Sequence, residues 1–458
     1  VVVGVVGGRE AIREVALRHS LCPYYLTQEL VRWSDVVIAD YNYLFDTTAS
    51  LHLLTVANEW KVSVLVDEAH NLVDRARSMY SATLSESSLR EAKRNAPQRV
   101  AGQLDRLARA WRALSKTQSA PYTLHESLPS RWVSCLAEVC ASITDCMAEA
   151  PEQIGAELLR FYFDALHFQR LSESFGGHSM LDATTEPTVG RSERTHTTLS
   201  IRNIVPASFL RPRWAASVTT VLFSATLTPH GFYADMLGLP SDTAWLDVAS
   251  PFERSHLVVK VEGSISTRFT DRDQSLLPIA KLIESQFRAE PGNYLAFFSS
   301  FDYLDRAAST FMNLCPSIPV WTQARRQGDA ERVAFLERFG VDSQGIGFAV
   351  LGGSFAEGVD LPGSRLIGAF IATLGLPQIN PVNEQLRRAM EKMFGAGYEY
   401  AYLYPGLRKV VQAAGRVIRT VNDRGTIILI DDRFERLEVR ALLPSWWKPE
   451  TVRQKTYA

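Results

Sequence analysis

The 458-residue sequence predicts an α/β protein of two parallel-sheet domains, the first interrupted by a mainly helical insertion. Three observations predict this class. Short β-branched runs alternate with turns and helical stretches, the rhythm of parallel strand–helix units. The rhythm stops across residues 75–205, an interval rich in Arg, Glu, Ser and Ala with helical periodicity, and then resumes. The composition, 46% apolar and 22% charged, allows a large buried core and more than one domain.

The first strand-like runs are DVVIA at Asp35–Ala39 and VSVLV at Val62–Val66. Inside the insertion, the Thr/Ser/Gly-rich stretch 174–200 reads as a loop or hairpin. Strand-like runs return at Val218–Phe223, His256–Val261, Asn293–Phe298, Ile346–Leu351, Leu366–Ala372 and Thr426–Asp431. A domain boundary is expected near Pro251–His256, and no internal repeat of fixed period is visible.

The bulk numbers restrict function. With 49 basic and 50 acidic residues, net charge gives no sign of nucleic acid, so any binding must use local basic patches. Five cysteines, Cys22, Cys135, Cys140, Cys146 and Cys315, are too few and scattered for a disulfide framework. The spacing of the middle three does not suit a zinc knuckle. A cytoplasmic protein is expected. No stretch has the length of a transmembrane helix, so no membrane partner is expected. The opening VVVGVVGGRE lacks the features of a signal peptide and begins without methionine, a first sign of a fragment.

Four stretches carry candidate chemistry. VDEAHNLVD follows the apolar run at Val62–Val66, and ligands of parallel sheets sit beyond the carboxyl ends of strands. A desolvated carboxylate is costly unless paired, hydrogen-bonded or metal-bound, so the acids need a partner. Asp67 can hold Mg²⁺ through water, and Glu68 can orient and deprotonate a water attacking a γ-phosphate. His70 could couple that site to a neighbouring domain. The plainer reading is a chance tetrapeptide after a core strand. FSATL puts Ser224 and Thr226 at another strand end, where they can bond the acidic stretch or serve as ordinary caps. LGGSFAEGVDLPG, Leu351–Gly363, offers Gly358 for close backbone approach and Ser354, Glu357 and Asp360 for polar contacts; a plain glycine-rich turn competes. In QAAGRVIRT a helix would put Gln412, Arg416 and Arg419 on one face, either to meet a transferred phosphoryl group or to be solvated.

These stretches, in this order, resemble helicase motifs II, III, V and VI of superfamily 2, and most closely the XPD-like (DinG-like) iron–sulphur DNA helicases. LCPYYLTQELVRWSDVVIADYNYLFD, Leu21–Asp46, is similar to that family's segment around its last cluster cysteine and the tyrosine-rich stretch after it. FFSS, Phe297–Ser300, resembles motif IV. The resemblance implies an ATP-dependent helicase that couples hydrolysis of Mg²⁺-bound ATP to translocation on single-stranded DNA, with 5′ to 3′ polarity. It implies work at duplex junctions, as in repair, by a monomer. By the same resemblance, residues 1–30 are a remnant of the cluster region, and 31–78 with 206–254 form an incomplete RecA-like domain. Residues 79–205 would be an Arch-like insertion and 255–458 a second RecA-like domain. Cys22 would be the fourth ligand of a [4Fe–4S] cluster. Ser299, Ser300, Gln323 and Arg325, in FFSSFD and WTQARR, would face single-stranded DNA.

The departures are as informative. No G-x-x-x-x-G-K-[ST] phosphate loop occurs, and VVGGREA, Val5–Ala11, has glycines without the lysine–hydroxyl pair. Three further cluster cysteines should precede Cys22. The sequence therefore reads as amino-terminally truncated. Two alternatives stay open: a nucleic-acid-binding module without ATP turnover, and a metal-dependent hydrolase using Asp67, Glu68 and His70.

Overall fold

A computed structural model describes residues 8–118, 120–187, 195–353, 355 and 360–452. The chain divides into two compact units, Val1–Thr243 and Ala244–Ala458. The division falls earlier than Pro251–His256, although the first strand of the second unit starts only at Leu257.

The first unit opens with helices α1 (Arg9–Arg18), α2 (Pro23–Val31), α3 (Asn42–Phe45) and α4 (Ser50–Ala57). Pro23 starts α2 at a position where a missing N–H costs nothing. Strand β1 (Ser63–Val66) leads to α5 (Leu72–Met79). The expected strand Asp35–Ala39 does not form: a β-branched run becomes a strand only with a neighbour to pair, and these residues pair with none among the described residues. Val36 and Ile38 are accordingly 79% and 97% exposed.

The insertion is mainly helical, as its composition suggests, and also carries a small sheet. It contains β2 (Ala82–Ser85), α6 (Glu86–Arg94), α7 (Gln98–Lys116), β3 (Tyr122–His125), α8 (Ser130–Glu149), α9 (Ala156–Glu173), β4 (Ser179–Pro187) and β5 (Thr195–Asn203). The strands make one antiparallel sheet in the order β2-β5-β4-β3. Their Thr and Ser residues hide a period of two: Ala82, Leu84, Leu181, Ala183, Leu199 and Ile201 all turn to a buried face. Between the helices, Trp132 meets Trp111 at 5.2 Å and Phe168 at 5.1 Å, edge to face. After the insertion come α10 (Ala207–Ala215), β6 (Thr219–Leu222) and α11 (His230–Leu237). Strand β6 pairs parallel with β1, Val66 opposite Leu222, so both strands end side by side.

The second unit holds β7 (Leu257–Glu262), α12 (Arg272–Ala289), β8 (Asn293–Phe298), α13 (Phe301–Leu314), β9 (Val320–Thr322) and α14 (Asp329–Glu337). It continues with β10 (Gly345–Val350), β11 (Gly368–Ala372), α15 (Pro381–Phe394), α16 (Tyr404–Ala414), β12 (Gly425–Ile430), α17 (Leu437–Arg440) and β13 (Glu450–Thr451). Its seven strands lie in the order β13-β7-β12-β11-β8-β10-β9, and every pairing is parallel. Apolar residues fill both faces, as a sheet covered on two sides requires. Leu295, Phe297, Ile371 and Leu429 pack on one side with Val410 and Ala413 of α16. Tyr294, Phe298, Phe348 and Ile428 pack on the other with Ile283 of α12 and Phe311 of α13.

Candidate functional site: an acidic loop and an arginine loop

The acidic loop begins where β1 ends. Val66 is buried, while Asp67 and Glu68 are exposed beyond it. Asp67 Oδ1 accepts the Glu68 N–H at 2.7 Å, which turns the chain out of the strand. Glu68 takes the left-handed backbone conformation, φ 47° and ψ 41°, uncommon for a residue with a side chain. Ala69 N–H then donates to the carbonyl of Phe223, tying the loop to the end of β6.

That turn gathers the predicted residues of this unit. His70, 3% exposed, places Nδ1 2.5 Å from Ser224 Oγ and 3.2 Å from Glu68 Oε2. Ser224 Oγ lies 3.5 Å from Glu68 Oε2 and accepts the Thr226 N–H at 3.2 Å. Glu68, His70, Ser224 and Thr226 therefore form one network, with both acids open to solvent. One member escaped the sequence reading. Tyr41 places its hydroxyl 2.5 Å from the carbonyl oxygen of Asp67 and 2.9 Å from that of Glu68. Burial, with the negative charge of Asp67 and Glu68, pushes the Tyr41 phenol up to about 12. The tyrosine-rich YNYLFD was visible, but which ring turns to the acids was not.

The arginine loop corrects one expectation. Helix α16 ends at Ala414, with Gly415 as its cap, so Gln412 is helical while Arg416 and Arg419 lie in the turn beyond. They do not share a helical face with it. The turn forms because Val417 and Ile418 are drawn into the core and Asp423 collects the next amides. Asp423 accepts from Arg419 N at 2.7 Å, Thr420 N at 2.8 Å, Thr420 Oγ1 at 2.7 Å and Gly363 N at 3.2 Å. Burial works to raise the Asp423 pKa, but these donors outweigh it and hold the carboxyl below its ordinary value. Arg419 Nε donates to Asp360 Oδ1 at 3.0 Å, joining the two predicted stretches of this unit. Gly358, with Ser354 and Glu357, lies outside the described residues.

Of the residues expected to face nucleic acid, Gln323 is corrected. It is 7% exposed, and its Oε1 accepts the Val350 N–H at 2.9 Å, so its side-chain oxygen is committed to the sheet. Ser299 Oγ accepts from Arg272 Nη2 at 2.8 Å, and Ser300 caps α13 through the Tyr303 N–H at 3.3 Å. Arg325 pairs with Asp305 at 3.1 Å and remains mostly exposed. Arg272, also missed, lies between the rings of Phe269 and Tyr303, 5.1 Å from each.

Cys22 is exposed at the N-terminal end of α2 without a side-chain hydrogen bond to the helix, Cys135 is half-buried, and Cys140, Cys146 and Cys315 are buried. Among the described residues no three His, Cys, Asp or Glu side chains are placed to hold a metal together. A [4Fe–4S] cluster needs four ligands, so these residues alone do not fit one. No described helix is long and apolar enough to cross a membrane.

A DEAD_2 family model matches residues 5–89, which include the acidic loop, and a helicase C-terminal domain model matches residues 283–450, which include the arginine loop. The chain is 28% identical over 428 residues to the ATP-dependent helicase DinG of Mycobacterium tuberculosis, covering 85% of this chain and 61% of that protein. It is 23% identical over 522 residues to the general transcription and DNA repair factor IIH helicase subunit XPD of Dictyostelium discoideum, covering 95% and 67%. A solved XPD helicase superimposes with a TM-score of 0.62 at 20% identity, over 97% of this chain and 78% of that one. Both family models and these relatives make the chain similar to the XPD/DinG-like helicases of superfamily 2. It spans about three fifths of the length of its DinG relative. The antiparallel sheet and helices of 79–205 lie in the chain between the paired strands β1 and β6.

Proposed function

We propose that this chain is the motor portion of an ATP-dependent DNA helicase that moves 5′ to 3′ on single-stranded DNA. The observation that carries the reading is the Glu68–His70–Ser224 network at the end of β1, beside an exposed Asp67. Asp67 spends Oδ1 on the loop amide and keeps Oδ2 for the water shell of a nucleotide-bound Mg²⁺, which loses its waters reluctantly. Glu68, steadied by His70, can orient a water and take its proton as it attacks the γ-phosphate. Arg416 and Arg419 would supply charge to the transferred phosphoryl group, a task that suits a permanent, planar cation. Ser299, Ser300, Arg325 and the stacked Arg272 are the proposed phosphate contacts on the second unit, binding without sequence choice.

The sequence contains no G-x-x-x-x-G-K-[ST] phosphate loop, whose lysine and hydroxyl would grip β- and γ-phosphates. The isolated 458-residue chain is expected to have negligible ATPase activity. The same absence favours a second reading, a module that grips nucleic acid without turnover. Strand displacement decides between them, using the form of the protein that carries a phosphate loop. ATP-dependent release of a strand from a duplex with a 5′ single-stranded tail supports the motor. Binding of that duplex with no ATP-dependent release supports the module.

A further inference from the structure

Tyr41 has no part in the reading above, yet its hydroxyl touches the backbone of both acids. Carbonyl oxygens only accept, so the phenol is the donor, and its single proton is shared between the carbonyls of Asp67 and Glu68. In a strand, successive carbonyls point to opposite sides. They converge on one hydroxyl here because Glu68 is in the left-handed region. An L residue resists that conformation, so something outside the loop has to hold it.

Tyr41 is itself held from several directions. Asp40 pairs with Arg75 of α5, the helix that directly follows the acidic loop, at 3.1 Å. The carbonyl of Phe45 accepts the Tyr80 hydroxyl, and the carbonyl of Asp46 accepts Arg213 Nη2 at 2.8 Å. Phe45 is buried against Trp214, with ring centroids 5.3 Å apart, and its ring also lies 6.2 Å from that of Tyr41. The phenol therefore sits on an anchored segment, not on a free loop.

We infer that Tyr41 is a positioning residue, a clamp whose hydroxyl fixes the Asp67–Glu68 peptides and so aims the Glu68 carboxylate at His70 and Ser224. The clamp is a property of this chain, while its effect on catalysis rests on the ATPase reading.

Tyr41→Phe removes only the hydroxyl and separates the two. Amide hydrogen exchange of the 458-residue chain reads the loop through the Glu68, Ala69 and Asn71 amides, all hydrogen-bonded in the wild type. Loss of the clamp should speed their exchange by about five-fold, with the melting temperature of the chain unchanged. Unchanged protection of these amides overturns the inference. In the ATP-hydrolysing form, Tyr41→Phe should lower kcat by about ten-fold with KM for ATP unchanged, and should have no further effect beside Glu68→Gln. An equal loss in both backgrounds overturns it, since Tyr41 would then act elsewhere. A wild-type protein with no Glu68-dependent hydrolysis would count against the ATPase reading alone, and the exchange result would still decide the clamp.

Discussion

Asp431 ends β12 with its carboxylate fully buried, and the donors around it keep it ionised. Arg433 gives its backbone N–H at 3.0 Å, Nε at 2.6 Å and Nη2 at 2.9 Å, and Thr267 gives its N–H at 3.0 Å and its hydroxyl. Burial would raise this carboxyl, but the guanidinium and hydroxyl donors outweigh it and hold the pKa at about 2. A folded pKa below the unfolded value stabilises at higher pH. The contribution, about 2 kcal/mol, is complete above roughly pH 4 and is lost as pH falls towards 2. Asp431→Asn should therefore flatten that acid limb and lower stability at neutral pH by roughly 3 kcal/mol, because Arg433 loses its counter-charge in the core. Urea unfolding of both proteins at pH 7 and pH 3 measures this. Residues of this kind were partly legible. Asp67, Glu68, His70, Ser224 and Thr226 announced themselves because strand ends in a parallel sheet are where polar groups meet. Tyr41 did not, because a contact reaching 26 residues along the chain to a backbone carbonyl leaves no spacing to read.

At the scale of elements, the start of α16 is placed by a contact that only glycines allow. Gly375, in the loop after β11, has φ 73°, and a Cβ there would lie 2.5 Å from the carbonyl oxygen of Gly406. Gly375→Ala adds both a steric clash with backbone and a disfavoured conformation, so it should cost roughly 2–4 kcal/mol. The shift of the urea midpoint reports it, and an unchanged midpoint would mean that α16 can move away. Apolar strands were legible by their β-branched runs, and Asn293–Phe298 forms as read. The antiparallel pair β4–β5 realises the hairpin that 174–200 offered beside a loop, left open because Asp182, Thr184, Thr197, Thr198 and Ser200 stand among its apolar residues; β2 and β3 were not legible. Asp35–Ala39 had the composition without a neighbour to pair. The end of α16 was missed because Arg416 and Arg419 keep helical spacing, while burial of Val417 and Ile418 breaks the helix.

At the scale of the molecule, the second unit has a sheet covered on both faces and all seven strands within residues 244–458. That fragment alone should unfold in one cooperative transition, followed by circular dichroism, and a broad non-cooperative loss would contradict its autonomy. The described sheet of the first unit has two strands, and Leu65 and Val221 are exposed on it. The chemistry still converges on Glu68. Single-stranded-DNA-stimulated ATP hydrolysis, measured in the form of the protein that carries a phosphate loop, should fall by roughly 10²–10⁴-fold in Glu68→Gln while nucleotide still binds. A Glu68→Gln protein that hydrolyses ATP at the wild-type rate would contradict the account.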